Sequence, residues 1–459
     1  MIRRPRRRVL GGPARSTVAP SPGAAVAELT RRWLPRMRES GWLLPPALAA
    51  DDVVPTGTRI GVVDGDVSAT VDGRGLVTPS GSPTGWSLDW WVGAEDRWRL
   101  PARETAVSQR RIDGAPVVET TVRVPGGEVV HRAYEARGPA HPGGDAWTVV
   151  EVENRSAVPV ALAWAFRPLD PTGVRPSAPL TVAPVAPAAP NGPHVVVGPD
   201  LVAVLLRPPS RWARGNAGVD VVHEVTAGDA SAGAVAPPSV GPDGEVDVAS
   251  LALLTPLPHT ATARIVIARR SSGTAAGPAT VAGEPRPIAW PDALPPADAV
   301  ARGWSALAAR GPRLELPDPV LAEAVAAARR SLPLSHRVRR ERAASDREPP
   351  PVTHTITAGD GWRPTDSVAD RMEMLAALSW WGDADASDRA LVDWPSAQQR
   401  GGGFGDPAGT ALALMALAAH AVASGDLGPA AAWLPEVGGA TEALGRAARR
   451  RRAVDFDPR

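Results

Sequence analysis

The sequence predicts a fold in two parts, an antiparallel β-sandwich followed by an α-helical domain. Three observations predict it. Between 55 and 270, short apolar or alternating segments are separated by Asp-Gly and Gly-Gly turns. A Pro/Ala/Gly-rich stretch then runs over 271–300. Beyond it the apolar period changes from 2 to 3.6. The length of 459 residues has room for about two or three domains.

Taken in order, residues 1–25 are a basic tail, MIRRPRRRVL onward, expected to be disordered. Residues 26–54 hold a short helix and a lead-in, with Val26, Leu29, Trp33 and Leu34 on one face. The β domain spans 55–270. Its strand candidates are 58–63 (TRIGVV), 117–124 (VVETTVRV), 147–153 (WTVVEVE), 194–197 (HVVV), 201–206 (LVAVLL) and 263–268 (ARIVIA). Turns fall at Asp64-Gly65, Asp72-Gly73, Asp113-Gly114 and Gly126-Gly127. More than about ten short strands without intervening helices point to a sandwich. Residues 271–314 are a linker and connecting segment. At Asp318-Pro319 a helix opens, with Asp as the cap and Pro in the first turn. Its expected apolar face is Val320, Leu321, Ala324, Val325 and Ala328. Residues 336–352, Arg-rich and then triple-proline, read as a loop. Helices follow at 366–381, 384–399, 407–424 and 427–450, and 451–459 are a tail.

Composition excludes several functions. Net charge is +1, so nothing in the overall field calls for nucleic acid. Lysine is absent and all 50 basic residues are Arg, which fits the codon usage of a GC-rich genome. Cysteine is absent, so disulfides, thiolate nucleophiles and Cys-ligated metals are excluded. The basic N-terminus is not followed by an apolar core of about 7–15 residues, and no apolar run approaches the ~18 residues of a membrane span. A cytoplasmic protein with no membrane contact and no cofactor is expected.

Several motifs carry a resemblance. Residues 85–93 read GWSLDWWVG, 113–120 DGAPVVET, and 152–159 VENRSAVP, with Arg97, Trp98 and Gln109 between them. Glu153, Asn154, Arg155 and Ser156 precede an apolar strand. Downstream come the Leu-Pro-Asp-Pro helix start at 316–319 and the glycine-punctuated helices of 370–450, whose loops carry Gln398, Phe404, Asp406 and Gly409. This order resembles the six-hairpin glycosidases, the glucoamylase-like (α/α)6 enzymes, in which a β-supersandwich precedes a helical toroid. The resemblance implies a β + α multidomain fold: an N-terminal antiparallel β-sandwich followed by an (α/α)6 toroid, incomplete here because the sequence ends after about five helices.

The resemblance also implies a site. Inverting glycosidases of this class hold the first sugar with an Arg-Asp pair at the start of an early helix. The matching acid here is Asp370, preceded by Ala369 in place of Arg. Asp360, Trp362, Arg363 and Asp366, just upstream, are the alternative substrate-binding residues. Helix-start stabilisation is the competing role for Asp366 and Asp370. The family's general acid lies in a loop beyond the helix matching 436–450, where this chain reads RRRRAVDFDPR. Glu436 and Glu442 do not match it, so no catalytic carboxylate pair is assigned. The sixteen Trp, against one Tyr and three Phe, offer indole faces for sugar stacking, and Trp86, Trp90, Trp91 and Trp98 are candidates for either stacking or core packing.

Other chemistry is weakly signalled. His223-Glu224 has no second His at i+4, so it is no zincin helix. The loop 401–405 (GGGFG) lacks the Gly-Lys-Ser/Thr ending of a phosphate loop and reads as a turn. The expected function is therefore that of a glycoside hydrolase-like protein without its catalytic pair, binding an oligosaccharide and weakly active or inactive. The alternatives are a non-catalytic glycan- or protein-binding assembly protein and a truncated gene product. An open toroid leaves helix faces uncovered, so self-association is expected through Leu412, Met415, Leu417, Val422, Leu427 and Leu434.

Overall fold

The computed structural model describes residues 57–65, 68–79, 86–138, 146–167, 169–170, 173–174, 194–197, 201–205, 207–215, 221–232, 250–269, 294–340, 352–356, 368–392 and 394–455. All of these belong to the compact unit Pro45–Arg459. The short helix expected within 26–54 lies outside the described residues.

Antiparallel strands come first. They are β1 (Gly57–Gly61), β2 (Ser68–Asp72), β3 (Val77–Pro79), β4 (Ser87–Gly93), β5 (Trp98–Arg99), β6 (Val107–Arg111), β7 (Val118–Val124), β8 (Gly127–Arg137), β9 (Ala146–Asn154) and β10 (Val160–Arg167). Next come β11 (Leu169–Asp170), β12 (Gly173–Val174), β13 (His194–Val197), β14 (Leu201–Leu205), β15 (Arg211–Gly215), helix α1 (Val221–Ala227), β16 (Ser231–Ala232), β17 (Ser250–Leu257) and β18 (Thr262–Arg269). One large sheet has the order β1-β2-β3-β4-β10-β17-β15-β16, with β5 on β4. The other has the order β13-β14-β18-β9-β8-β7-β6.

The two sheets bury one apolar layer between them. Trp86, Trp90, Trp164, Phe166 and Leu253 from the first meet Val122, Val150, Val152, Ile265 and Ile267 from the second. Both sheets are also covered on their outer sides. The other faces of β9 and β18, with Trp147, Val149 and Val266, pack on helix α2 (Ala297–Ala308) through Ala297, Ala301 and Trp304. Tyr134 fixes the approach to α2: its hydroxyl donates to Glu151 Oε1 at 2.8 Å and reaches the Pro295 carbonyl at 3.1 Å. On the first sheet, Trp91, Ala163, Ala165, Ala252 and Leu254 lie under Val221, Val222 and Val225 of α1.

The Glu153–Ser156 turn is a structural tie. Asn154 Oδ1 accepts from the Ser156 amide at 2.9 Å and hydroxyl at 2.7 Å. Asn154 Nδ2 donates to the carbonyls of Val158 and Leu257 at 2.8 and 3.0 Å. One side chain thereby joins the β9–β10 turn to the end of β17.

Beyond α2 the chain forms α3 (Pro319–Ser331), the hairpin β19 (His336–Arg340) and β20 (Val352–Ile356), then α4 (Val368–Trp380), α5 (Ala384–Leu391), α6 (Pro407–Ser424), α7 (Gly428–Ala432) and α8 (Leu434–Asp455). The described residues thus hold eight helices. Asp318 caps α3 as expected, accepting from the Val320 and Leu321 amides at 2.8 and 3.2 Å. Four sequence expectations are corrected. Helix α1 interrupts the β region, and α2 begins inside the Pro/Ala-rich stretch read as a linker. Residues 336–340 and 352–356, read as loop, pair as a hairpin. The apolar face expected on α3 is not buried: Val320 and Leu321 are exposed. The helical layer has its own core, with Leu375 and Leu378 of α4, Leu391 of α5, and Ala413, Ala416 and Leu417 of α6 around Trp394 and Phe404. Contrary to the reading that no apolar run reaches ~18 residues, α6 is long and apolar enough to cross a membrane by length and composition. Its buried face packs on α4 and α8.

Candidate functional site

The starts of three helices gather around one loop. Val368, the first residue of α4, lies next to Gly405 and Gly409 at the start of α6; Cβ atoms built on those glycines would sit 3.6 and 3.5 Å from its side chain. Helices α4 and α6 therefore run side by side in the same direction, with α5 between them in sequence. Gln398 draws in α8: its Nε2 donates to the Gly402 carbonyl at 2.9 Å and to the Glu436 carbonyl, in the first turn of α8, at 2.7 Å. Gly402 has φ +82°, and a Cβ there would lie 2.4 Å from the Gly439 carbonyl oxygen of α8. Only glycine serves in that left-handed position under such close backbone approach. The GGGFG run is thus a packing turn, as expected.

Each of the three helix starts carries an acid. Asp370 lies half-buried in the first turn of α4. Asp406 caps α6, accepting from the Gly409 amide at 2.7 Å. Glu436 lies in the first turn of α8. Carboxylates complement the positive ends of helix dipoles, which accounts for all three on structural grounds alone. Glu442 sits further along α8, facing solvent with Arg446 at 3.6 Å. Asp360, Trp362, Arg363 and Asp366 lie outside the described residues.

The tryptophans divide sharply. Trp86, Trp90 and Trp91 are fully buried in the sandwich, so they cannot stack on a sugar. Trp98 is half-buried and packs against Gly93. Trp381 lies under the Arg329 guanidinium, 5.1 Å from the ring centre. Trp380, at the end of α4, is exposed. His223 and Glu224 lie on the short helix α1, and among the described residues no cluster of His, Asp or Glu has the makings of a metal site.

Polar groups that the sequence reading passed over are also buried. Asp89 is buried on β4, with its Oδ2 3.0 Å from Arg167 Nη1 and 2.9 Å from Trp91 Nε1; burial pushes its carboxyl up. His336 of the hairpin lies against Asp64 on one side and His354 on the other. The signal for that hairpin was present, because His336/Val338 and His354/Ile356 alternate with polar neighbours at period 2.

An antiparallel β-sandwich followed by a layer of helices is the class that fold and site define. No family model matches the sequence, and no curated protein does. Among solved structures, the chain is similar to a bacterial glucoamylase crystallised with acarbose. The TM-score is 0.48 at 10% identity, over 88% of this chain and 67% of that one.

Proposed function

We propose that the chain is a carbohydrate-binding protein of glucoamylase-like architecture, in which α4–α8 are successive hairpins of an (α/α)6 toroid. The observation that carries this reading is the common direction of α4 and α6. Parallel neighbours separated by a returning helix are the repeat from which such a ring is built. The mouth is the end where α4, α6 and α8 start around the 398–406 loop. In this reading Asp370 accepts hydroxyl hydrogen bonds from a bound sugar. Asp360, Trp362, Arg363 and Asp366, which precede α4 in sequence, complete the subsite. No residue is assigned to hydrolysis: Asp406 is occupied as a cap and Glu442 is a solvated helix-face residue. Titration calorimetry of the full chain with maltooligosaccharides tests the reading. Millimolar or tighter binding is expected, weakened roughly 10–100-fold in Asp370→Asn, the cost of one hydrogen bond to a charged group. No heat with any oligosaccharide of the series sinks it.

A second reading, an assembly protein, is favoured by one observation. Met415, Val422, Leu427 and Leu434 are exposed on the α6–α8 side. Such a patch marks a surface for another chain.

A further inference from the structure

Three side chains from distant parts of the chain form a hydrogen-bonded row between the sandwich and the helical layer. Asp64 occupies the turn between β1 and β2, at a left-handed backbone position with φ 54°. Its Oδ1 lies 2.7 Å from His336 Nδ1. His336 Nε2 lies 3.1 Å from His354 Nδ1, and the two rings are parallel to within 6°. In the hairpin register His336 pairs with Ile356 and Val338 with His354, so the histidines are diagonal neighbours on one face. His336 is buried and His354 half-buried.

Proton positions follow from the chemistry. An ionised carboxylate only accepts, so His336 Nδ1 donates to Asp64. The contact between His336 Nε2 and His354 Nδ1 has room for one proton, since either nitrogen can donate but not both. The row therefore accepts one added proton, with one imidazole cationic and the other neutral. A second proton would set two N–H groups against each other across 3.1 Å and two like charges with ring centres 5.2 Å apart.

Among the described residues, the charges around Asp64 and His336 do not remove this conflict. Arg389 of α5 reaches Asp64 Oδ1 at 3.5 Å, and Arg137 of β8 donates to the Val63 and Asp64 carbonyls at 2.7 and 3.0 Å. Asp383, the cap of α5, is a second carboxylate acting on His336, and burial raises it above the usual carboxylate range. Arg337 turns to the Ser68 hydroxyl at 3.3 Å. Glu135 of β8 is buried beside Gly61, and Leu375 and Leu378 of α4 share an apolar cluster with Ile356. The hydrogen bond from His336 holds Asp64 below its usual range, so it stays an acceptor while the imidazoles titrate.

We propose that the Asp64–His336–His354 row is a pH-sensitive catch. It stays closed while the histidine pair holds at most one added proton. A second proton opens it and frees the β19–β20 hairpin from the sandwich turn.

Hydrogen exchange of the full chain tests this at about pH 7.5 and about pH 5, either side of the ordinary imidazole pKa of ~6.5. With rates corrected for intrinsic exchange, protection of 336–340 and 352–356 is expected to fall about tenfold or more at the lower pH, with β9 unaffected. His354→Phe keeps a ring in place but removes the facing nitrogen, so its hairpin protection is expected to be the same at both pH values. Equal hairpin protection at both pH values in the wild type overturns the proposal, as does an undiminished pH effect in His354→Phe. Should that variant not fold, nitrogen-15 spectra of the wild-type imidazoles decide. Only one of the two histidines is expected to become cationic while the hairpin amides stay protected. Two cationic rings in a protected hairpin overturn the catch.

Discussion

The imidazole of His131 stacks on the indole of Trp90 inside the sandwich, with ring centres 4.8 Å apart and planes inclined by 19°. Burial disfavours the imidazolium and pulls the pKa of His131 from 6.5 down to about 3. The folded state therefore binds fewer protons than the unfolded state between those values. Stability from this group is complete above the unfolded pKa and is lost as pH falls towards about 3. At 1.36 kcal/mol per unit, the loss is on the order of 4–5 kcal/mol. Urea unfolding from pH 7 to about 3.5 measures it, and His131→Phe, which keeps the stack without the titration, is expected to lose correspondingly less.

Gly75 closes over the edge of that stack. Its φ is +89°, and an added Cβ would lie 2.6 Å from Trp90 Nε1, which donates to the Arg74 carbonyl at 3.2 Å. Gly75→Ala meets both a left-handed backbone and a buried ring with no room to shift. A destabilisation of about 2–4 kcal/mol is expected from strain and overpacking together. A melting temperature within a degree of wild type would refute this packing.

What was legible beforehand follows from how local each signal is. The cap at Asp318-Pro319 and the turn at 401–405 are set by residues adjacent in sequence, and both appear as expected. Helix α2 was hidden by the Pro- and Ala-rich composition around it, although Ala297, Ala301 and Trp304 repeat at helical spacing. The hairpin was hidden because the Arg and Pro residues at 339–351 outweighed two short alternating runs. Whether an indole is buried or exposed depends on a partner sheet, and Trp90 and Trp380 cannot be told apart by sequence. Of the substrate-binding candidates, Asp370 is the one among the described residues, in the first turn of α4.

Asp89 of β4 and Arg167 of β10 form an ion pair at 3.0 Å, and Arg167 is almost wholly shielded from water. Asp89→Ala removes the carboxylate 3.0 Å from that guanidinium, and removing one partner of a buried pair costs roughly 3–5 kcal/mol. Asp89→Asn retains an acceptor for Trp91 Nε1 and is expected to cost less. Denaturant unfolding near pH 7 should rank the three proteins in that order. An unchanged midpoint for Asp89→Ala would show that Arg167 has another anion to turn to.

Self-association is the last expectation. Met415 and Val422 are seven residues apart on α6, and so share a face, at 63% and 70% exposure. Leu427 and Leu434 flank the short helix α7 at 68% and 64%. Leu417 is buried and Leu412 half-buried, so the open face is narrower than the sequence suggested. Covering ~400 Å2 of such surface at about 25 cal/mol per Å2 would contribute on the order of 10 kcal/mol before the entropic cost of association. Sedimentation velocity at tens of micromolar is therefore expected to show dimers or larger species. Met415→Glu with Val422→Glu is expected to shift them to monomer without loss of helix content, since neither side chain is buried. A single sharp monomer of the wild-type chain that binds no apolar dye would show that this face is too small or too broken to recruit another copy.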